Sequence, residues 1–195
     1  MNFLAHMLVS PDTPHAMLGN FLADLVKGDV QGRFPPEVVE GIRHHRRVDH
    51  FTDSHAVFAA SRSLVSASRR RYAGVIIDVL YDHFLAASWD RYCATGLDEF
   101  VTGVYANLGR HRVAIPHPAP MVIGKMVAED WLRSYRTIDG IDRTFQRISR
   151  RIRRENPLAA AVEELEQNYH LLEDHFHTFF PQVLSQFRTS PPGIV

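Results

Sequence analysis

Apolar residues recur every three or four positions along most of the chain, and no stretch alternates convincingly with a period of two. This pattern predicts helices at roughly 14–27, 36–53, 63–91, 97–110, 119–136, 139–154 and 157–186. Prolines support two of the boundaries. Pro35-Pro36 opens the second helix and Pro157 the last, at positions where a missing N–H costs least. Gly28 and Gly32 break the chain between the first two helices, and His111 to Pro120 reads as a loop. There is no internal repeat and no low-complexity segment. The expected fold is all-α: a single-domain helical bundle over residues 1–188, followed by a frayed tail at 189–195.

One predicted helix holds polar groups that its neighbours do not accommodate. In Ile76-Ile77-Asp78-Val79-Leu80-Tyr81-Asp82-His83-Phe84-Leu85, the two aspartates are four apart and share a face, with His83 beside the second. A carboxylate among large apolar side chains is costly, or it gives up its charge. Two on one face also repel. A cation, a paired base or a bound metal relieves the conflict.

Composition narrows the classes of function. A chain of 195 residues is long enough for one sizeable core, and 45% hydrophobic with 23% charged is an ordinary globular balance. Lys+Arg and Asp+Glu are equal at 22 each, so the total charge has no signature of a nucleic-acid or membrane partner. Cys93 is the sole cysteine, which excludes an internal disulfide and fits a reducing compartment. No stretch approaches the ~18 apolar residues of a membrane span. The start, Met1-Asn2-Phe3-Leu4-Ala5-His6, lacks a secretory pattern, so a cytoplasmic location is expected. The 12 histidines direct attention to metal binding.

The Asp78/Asp82 spacing recurs. Asn20 and Asp24 are four apart, as are His45, Asp49 and Asp53. If all three segments are helical, each presents a polar stripe, and helices can aim such stripes at one interior point. Histidine and carboxylates without thiolate suit Mn²⁺, Fe²⁺, Zn²⁺ or Mg²⁺. Plainer readings exist for several members. Asp53 could cap a helix, Asn20 could bond core backbone, and Asp49 could pair with Arg46 or Arg47. His44, His50 and His55 read as surface residues, and His6 as a core histidine. Arg46 and Arg47 beside a metal would suit a phosphate, because a guanidinium offers a bidentate fork. Metal with arginine points to phosphate-ester hydrolysis, in which the ion polarises the phosphoryl oxygen and acidifies water.

At these residues the chain resembles the acyl carrier protein phosphodiesterases. The likeness rests on Asn2-Phe3-Leu4-Ala5-His6, Gly19-Asn20 with Ala23-Asp24, Phe34-Pro35-Pro36, and His45-Arg46-Arg47 with Asp49. Thr52-Asp53, Asp78 with Asp82-His83-Phe84-Leu85, Trp131-Leu132 and Tyr135-Arg136 extend it. The resemblance implies a helical, HD-domain-like but atypical phosphohydrolase using Mn²⁺ or a replacement divalent ion. Its reaction would release 4′-phosphopantetheine from the serine of holo-acyl carrier protein. Here the dyad at 82–83 runs Asp-His, and His45 is followed by Arg, which departs from the usual HD order.

On that basis Asp24, His45, Asp49, Asp78 and Asp82 are the expected metal set, with Asp49 either a ligand or the group orienting His45. Arg46 is expected on a nonbridging phosphate oxygen, and His6 or His83 as general acid. Asn20 and Arg47 are expected to touch substrate. Acyl carrier proteins are small and acidic, so a basic docking face is implied. Two basic clusters are available, Arg62, Arg69, Arg70 and Arg71 and the run from Arg143 to Arg154, and the first is expected to dock because it precedes Asp78 on what reads as one helix. The plainer view of either cluster is a solvated face paired with the acids of 163–174. Competing functions are an HD-type hydrolase of a nucleotide or other small phosphoester, and a non-enzymatic adaptor for acidic proteins. A di-iron bundle would want Glu-x-x-His motifs, which are absent.

Overall fold

The computed structural model describes residues 1–111 and 115–188. The expected tail at 189–195 and part of the His111–Pro120 loop lie outside them. Among the described residues there are ten α-helices and no strand, so the all-α single-domain expectation holds. The helices are α1 (Phe3–Leu8), α2 (Pro14–Leu22), α3 (Pro36–Ser54), α4 (Ala56–Leu64) and α5 (Ala73–Ala87). They continue with α6 (Leu97–His111), α7 (Ala119–Ala128), α8 (Trp131–Ser134), α9 (Ile138–Arg151) and α10 (Val162–Phe187).

The core forms around α5. Ile76, Ile77, Leu80, Tyr81 and Leu85 are fully buried, and α1, α4, α9 and α10 pack around them. The far side is aromatic: Phe176 and Phe179 of α10 lie 5.4 and 5.6 Å from the Tyr81 ring. Each such ring buries a large apolar area, and together they anchor the longest helix to the centre.

Helices α2 and α3 meet at unusually close range. A Cβ on Gly19 would run into the carbonyl of Val38, and one on Gly41 into the carbonyl of Ala16. Only glycine permits this backbone approach. Pro14 starts α2 after Thr13, whose hydroxyl accepts the Ala16 N–H at 3.1 Å. The close crossing brings Asn20 of α2 to His45 of α3.

Four boundaries differ from the sequence expectation. The predicted 63–91 helix is broken: α4 ends at Leu64, and a 3₁₀ segment at Ala67–Tyr72 precedes α5. Glu164 of α10 accounts for the break, because its carboxylate accepts both the Ser66 N–H at 3.0 Å and the Ser66 hydroxyl. The Arg62–Arg71 cluster therefore does not share a helix with Asp78. The predicted 119–136 helix divides at Asp130, whose φ of 46° interrupts it. Helix α2 ends at Leu22, so Asp24 sits on the following turn rather than on a helical stripe. The predicted last helix begins as a 3₁₀ turn at Pro157–Ala160 and becomes α-helical only from Val162. Helix α1, too short at six residues for its period to show, was not anticipated.

Candidate functional site

The centre assembles from α1, α3 and the turn after α2. His6 Nε2 and His45 Nε2 each lie 3.0 Å from a different oxygen of Asp49. His45 Nε2 is also 3.3 Å from Asp24 Oδ1. The two imidazoles stack, with centroids 3.7 Å apart and planes 15° from parallel. His6, His45 and Asp49 each offer a ligand atom, all within 4.8 Å of one another, and together they could hold a metal ion.

Asn20 organises the pair. Its Nδ2 donates to the His6 carbonyl at 2.8 Å, which leaves Oδ1 facing His45 Nδ1 at 3.0 Å. An amide turned the other way would oppose oxygen to oxygen, so His45 Nδ1 must carry the proton it shares with Asn20. Nε2 is then the nitrogen on the carboxylate side, able to present a lone pair to an ion once its own proton leaves, as a metal-ligating histidine requires. Asn20 was expected to touch substrate. It is instead completely buried, with both ends of its amide occupied.

The charges agree with a cation site. Burial opposes protonation of His45, but hydrogen bonds to Asp24 and Asp49 win and raise it to about 9. Burial and the charge of His45 lower His6 to about 4. Burial acts to raise Asp49 and Asp24, yet their histidine partners hold Asp49 far below the usual carboxylate range and keep Asp24 below it too. The proton on His45 thus lies between two carboxylates, and a divalent ion would meet the same donors. The buried Nδ1 of His6 has no hydrogen-bond partner among the described residues. Two imidazoles with carboxylates and no thiolate form a donor set that fits Mn²⁺ and its relatives.

The other expected residues are distributed differently. Asp82 accepts the Leu4 N–H at 2.7 Å and the Ala5 N–H at 3.1 Å, one on each oxygen. It fastens the start of α1 to α5, while burial pushes its carboxyl up to about 7. Asp78 pairs with the Met1 ammonium at 2.8 Å. His83 is bonded through both nitrogens, to the Tyr135 carbonyl at 2.9 Å and the Tyr169 hydroxyl at 3.2 Å, and neither partner belongs to the centre.

The arginines are also sorted. Arg46 donates to the carbonyls of Val26 and Gly28, tying the segment after Asp24 to α3. Arg47 pairs with Glu40 at 2.8 Å. In the first basic cluster, Arg69 binds Glu163 at 2.6 Å and Glu164 at 3.0 Å, and Arg62 lies 3.9 Å from Asp53. Arg70 and Arg71 are exposed.

A cavity of about 340 Å³ has Asp24, Asp78, Trp131, Tyr135, Arg147 and Arg151 in its walls. The contribution of α9 to this wall was not legible in the sequence, because nothing local relates residues 147 and 151 to residue 24.

A family model described as acyl carrier protein phosphodiesterase matches residues 1–183. A curated acyl carrier protein phosphodiesterase from Yersinia pestis is 36% identical over 187 residues, covering 95% of this chain and 97% of the relative. One of that name from Klebsiella pneumoniae subsp. pneumoniae is 35% identical, covering 94% and 96%. Another from Pectobacterium atrosepticum is 33% identical, covering 97% and 98%. No solved structure matches the chain. With the family model and these relatives spanning nearly all of its length, the chain belongs to the acyl carrier protein phosphodiesterase family.

Proposed function

We propose that this enzyme hydrolyses the phosphodiester joining 4′-phosphopantetheine to a serine of holo-acyl carrier protein, releasing the apo protein. The carrier as substrate comes from the printed names of the relatives. The chemistry comes from the His6–His45–Asp49 group, the single observation that carries the reading.

His6, His45 and Asp49 would hold a divalent ion, Mn²⁺ by resemblance, with Asp24 on the same side. Such an ion supplies a Lewis acid for the phosphoryl group and acidifies water. The protein does the rest. Asn20 holds His45 in one tautomer and one orientation. Asp82 fixes α1, and with it His6, against α5. Arg147 and Arg151 line the same small cavity as Asp24 and Asp78, where they would neutralise the phosphate.

The test is a mass spectrum of holo-acyl carrier protein after incubation with the enzyme and Mn²⁺, with EDTA and His45→Ala controls. Loss of the phosphopantetheine mass in the Mn²⁺ sample alone is expected. An unchanged carrier with folded, metal-loaded enzyme refutes this substrate and turns the search to small phosphoesters.

A further inference from the structure

The small cavity that Asp24 lines does not end at its own walls. A wider one, about 650 Å³, opens between α7 and α9, and Trp131, Arg147 and Arg151 line both. The Arg147 guanidinium lies over the Trp131 ring, 3.8 Å from its centroid, and stiffens the shared wall. Beyond that wall the wider cavity adds Lys125, Arg143 and Arg150. Glu129 is the acid on this surface, and it is engaged by the Trp131 indole N–H at 2.8 Å.

Basic and acidic residues are equal in number over the whole chain, so this concentration is local. Arg143 pairs with Asp139 and Arg147 lies 3.9 Å from Glu129, but among the described residues no carboxylate lies within ion-pairing distance of Lys125, Arg150 or Arg151. The Arg62–Arg71 cluster differs. Arg69, its least exposed member, is already spent on two glutamates, and the cluster lines neither cavity.

We propose that the acidic carrier docks on the α7–α9 face, with Lys125 and Arg150 receiving its carboxylates and Arg147 and Arg151 leading the phosphate inward. This assignment rests on the functional reading above for the identity of the partner. A concave surface of one sign attracts a partner of the other and orients it before contact. Here the field would deliver the carrier's modified serine to the rim of the small cavity.

The experiment measures binding apart from chemistry. Labelled apo-carrier is titrated into full-length enzyme by fluorescence anisotropy at low and moderate salt. The double variant Lys125→Glu/Arg150→Glu is compared with wild type and with Arg70→Glu/Arg71→Glu, and each fold is checked by circular dichroism. The α7–α9 reversal is expected to raise Kd at least tenfold and to flatten its salt dependence. KM for holo-carrier should rise in parallel. An unchanged Kd in that variant, or a larger loss at Arg70/Arg71, overturns the assignment. Wild-type enzyme that binds the carrier without cleaving it refutes the hydrolase reading alone, and the Kd comparison still decides the docking face. Wild-type enzyme that binds no carrier overturns both.

Discussion

Asn20 joins His6 and His45 through a single side chain, and this has a consequence for affinity. Its amide removes the conformational freedom of His45 and selects the tautomer that presents Nε2 to Asp24 and Asp49. Partners of this kind around metal-ligating histidines are typically worth 10–100-fold in metal affinity or activity. Asn20→Ala is therefore expected to weaken Mn²⁺ binding by about that factor, read by isothermal titration, while the helical content stays the same. Equal affinity in the variant would show that the histidine needs no such support. The same residue illustrates what a spacing argument conveys. Asn20 and Asp24 were singled out as a helical pair, and both do reach the centre. They reach it from a helix and from a turn, one at Nδ1 of His45 and the other at Nε2.

At the scale of elements, two junctions determine where the chemistry sits. The first is the glycine crossing of α2 and α3. Gly41→Ala would force the helices apart against the Ala16 carbonyl and draw Asn20 away from His45. Overpacking of this kind costs roughly 1–3 kcal/mol. A lower denaturation midpoint with weakened metal binding is expected, and a fully native midpoint would mean that the helices can separate without strain.

The second junction is the break between α4 and α5, closed by Glu164. Burial acts to raise this carboxyl, but hydrogen bonds from Ser66 and Arg69 outweigh it and leave the group below its ordinary value of 4.5. A carboxylate whose folded pKa is depressed stabilises the fold above its unfolded pKa, and that contribution is lost as pH falls through the folded value. Glu164→Gln is expected to cost about 1–3 kcal/mol at neutral pH. The gap from wild type should narrow below about pH 4.5 in urea titrations. A gap independent of pH would assign the loss to packing instead. Neither junction was readable from periodicity. The Ser66 break depends on an acid 98 residues away, and the glycine contact on the crossing of two helices.

For the whole molecule, the centre ties the first helix to the turn and the helix that follow α2. His6 comes from α1, His45 and Asp49 from α3, and Asp24 from the turn between α2 and α3, so a bound ion would link segments that otherwise hold together by packing. A ligand that binds only the native state stabilises it by mass action, by about 2.7 kcal/mol at a hundredfold excess over Kd. For a chain of this size that corresponds to a rise in Tm of about 5–11 °C. Mn²⁺ is expected to give a shift of this order in wild type and none in His45→Ala. A shift that persists in the variant would place the ion elsewhere. No helix among the described residues is long and apolar enough to cross a membrane, in keeping with the short apolar runs of the sequence.

The sequence alone determined the helical class, because apolar spacing reports directly on which face of a helix is buried. It also pointed to the family, since histidine, aspartate and arginine are recognisable in any fold and their order matched one family. Helix α1 was too short to show a period, and His6 among apolar neighbours is indistinguishable locally from a core residue. Only the tertiary structure decided the partners. Asp82 and Asp24 are both aspartates near the centre, but two backbone N–H groups claim the first, and an imidazole faces the second. The basic clusters likewise look equivalent along the chain. Glutamates from α10 neutralise part of one, while the turn at Asp130 and the packing of α9 carry the other to the cavity that Asp24 and Asp78 line. A carboxylate or a guanidinium takes its function from the partner that reaches it first, and that partner is fixed by contacts distant in sequence.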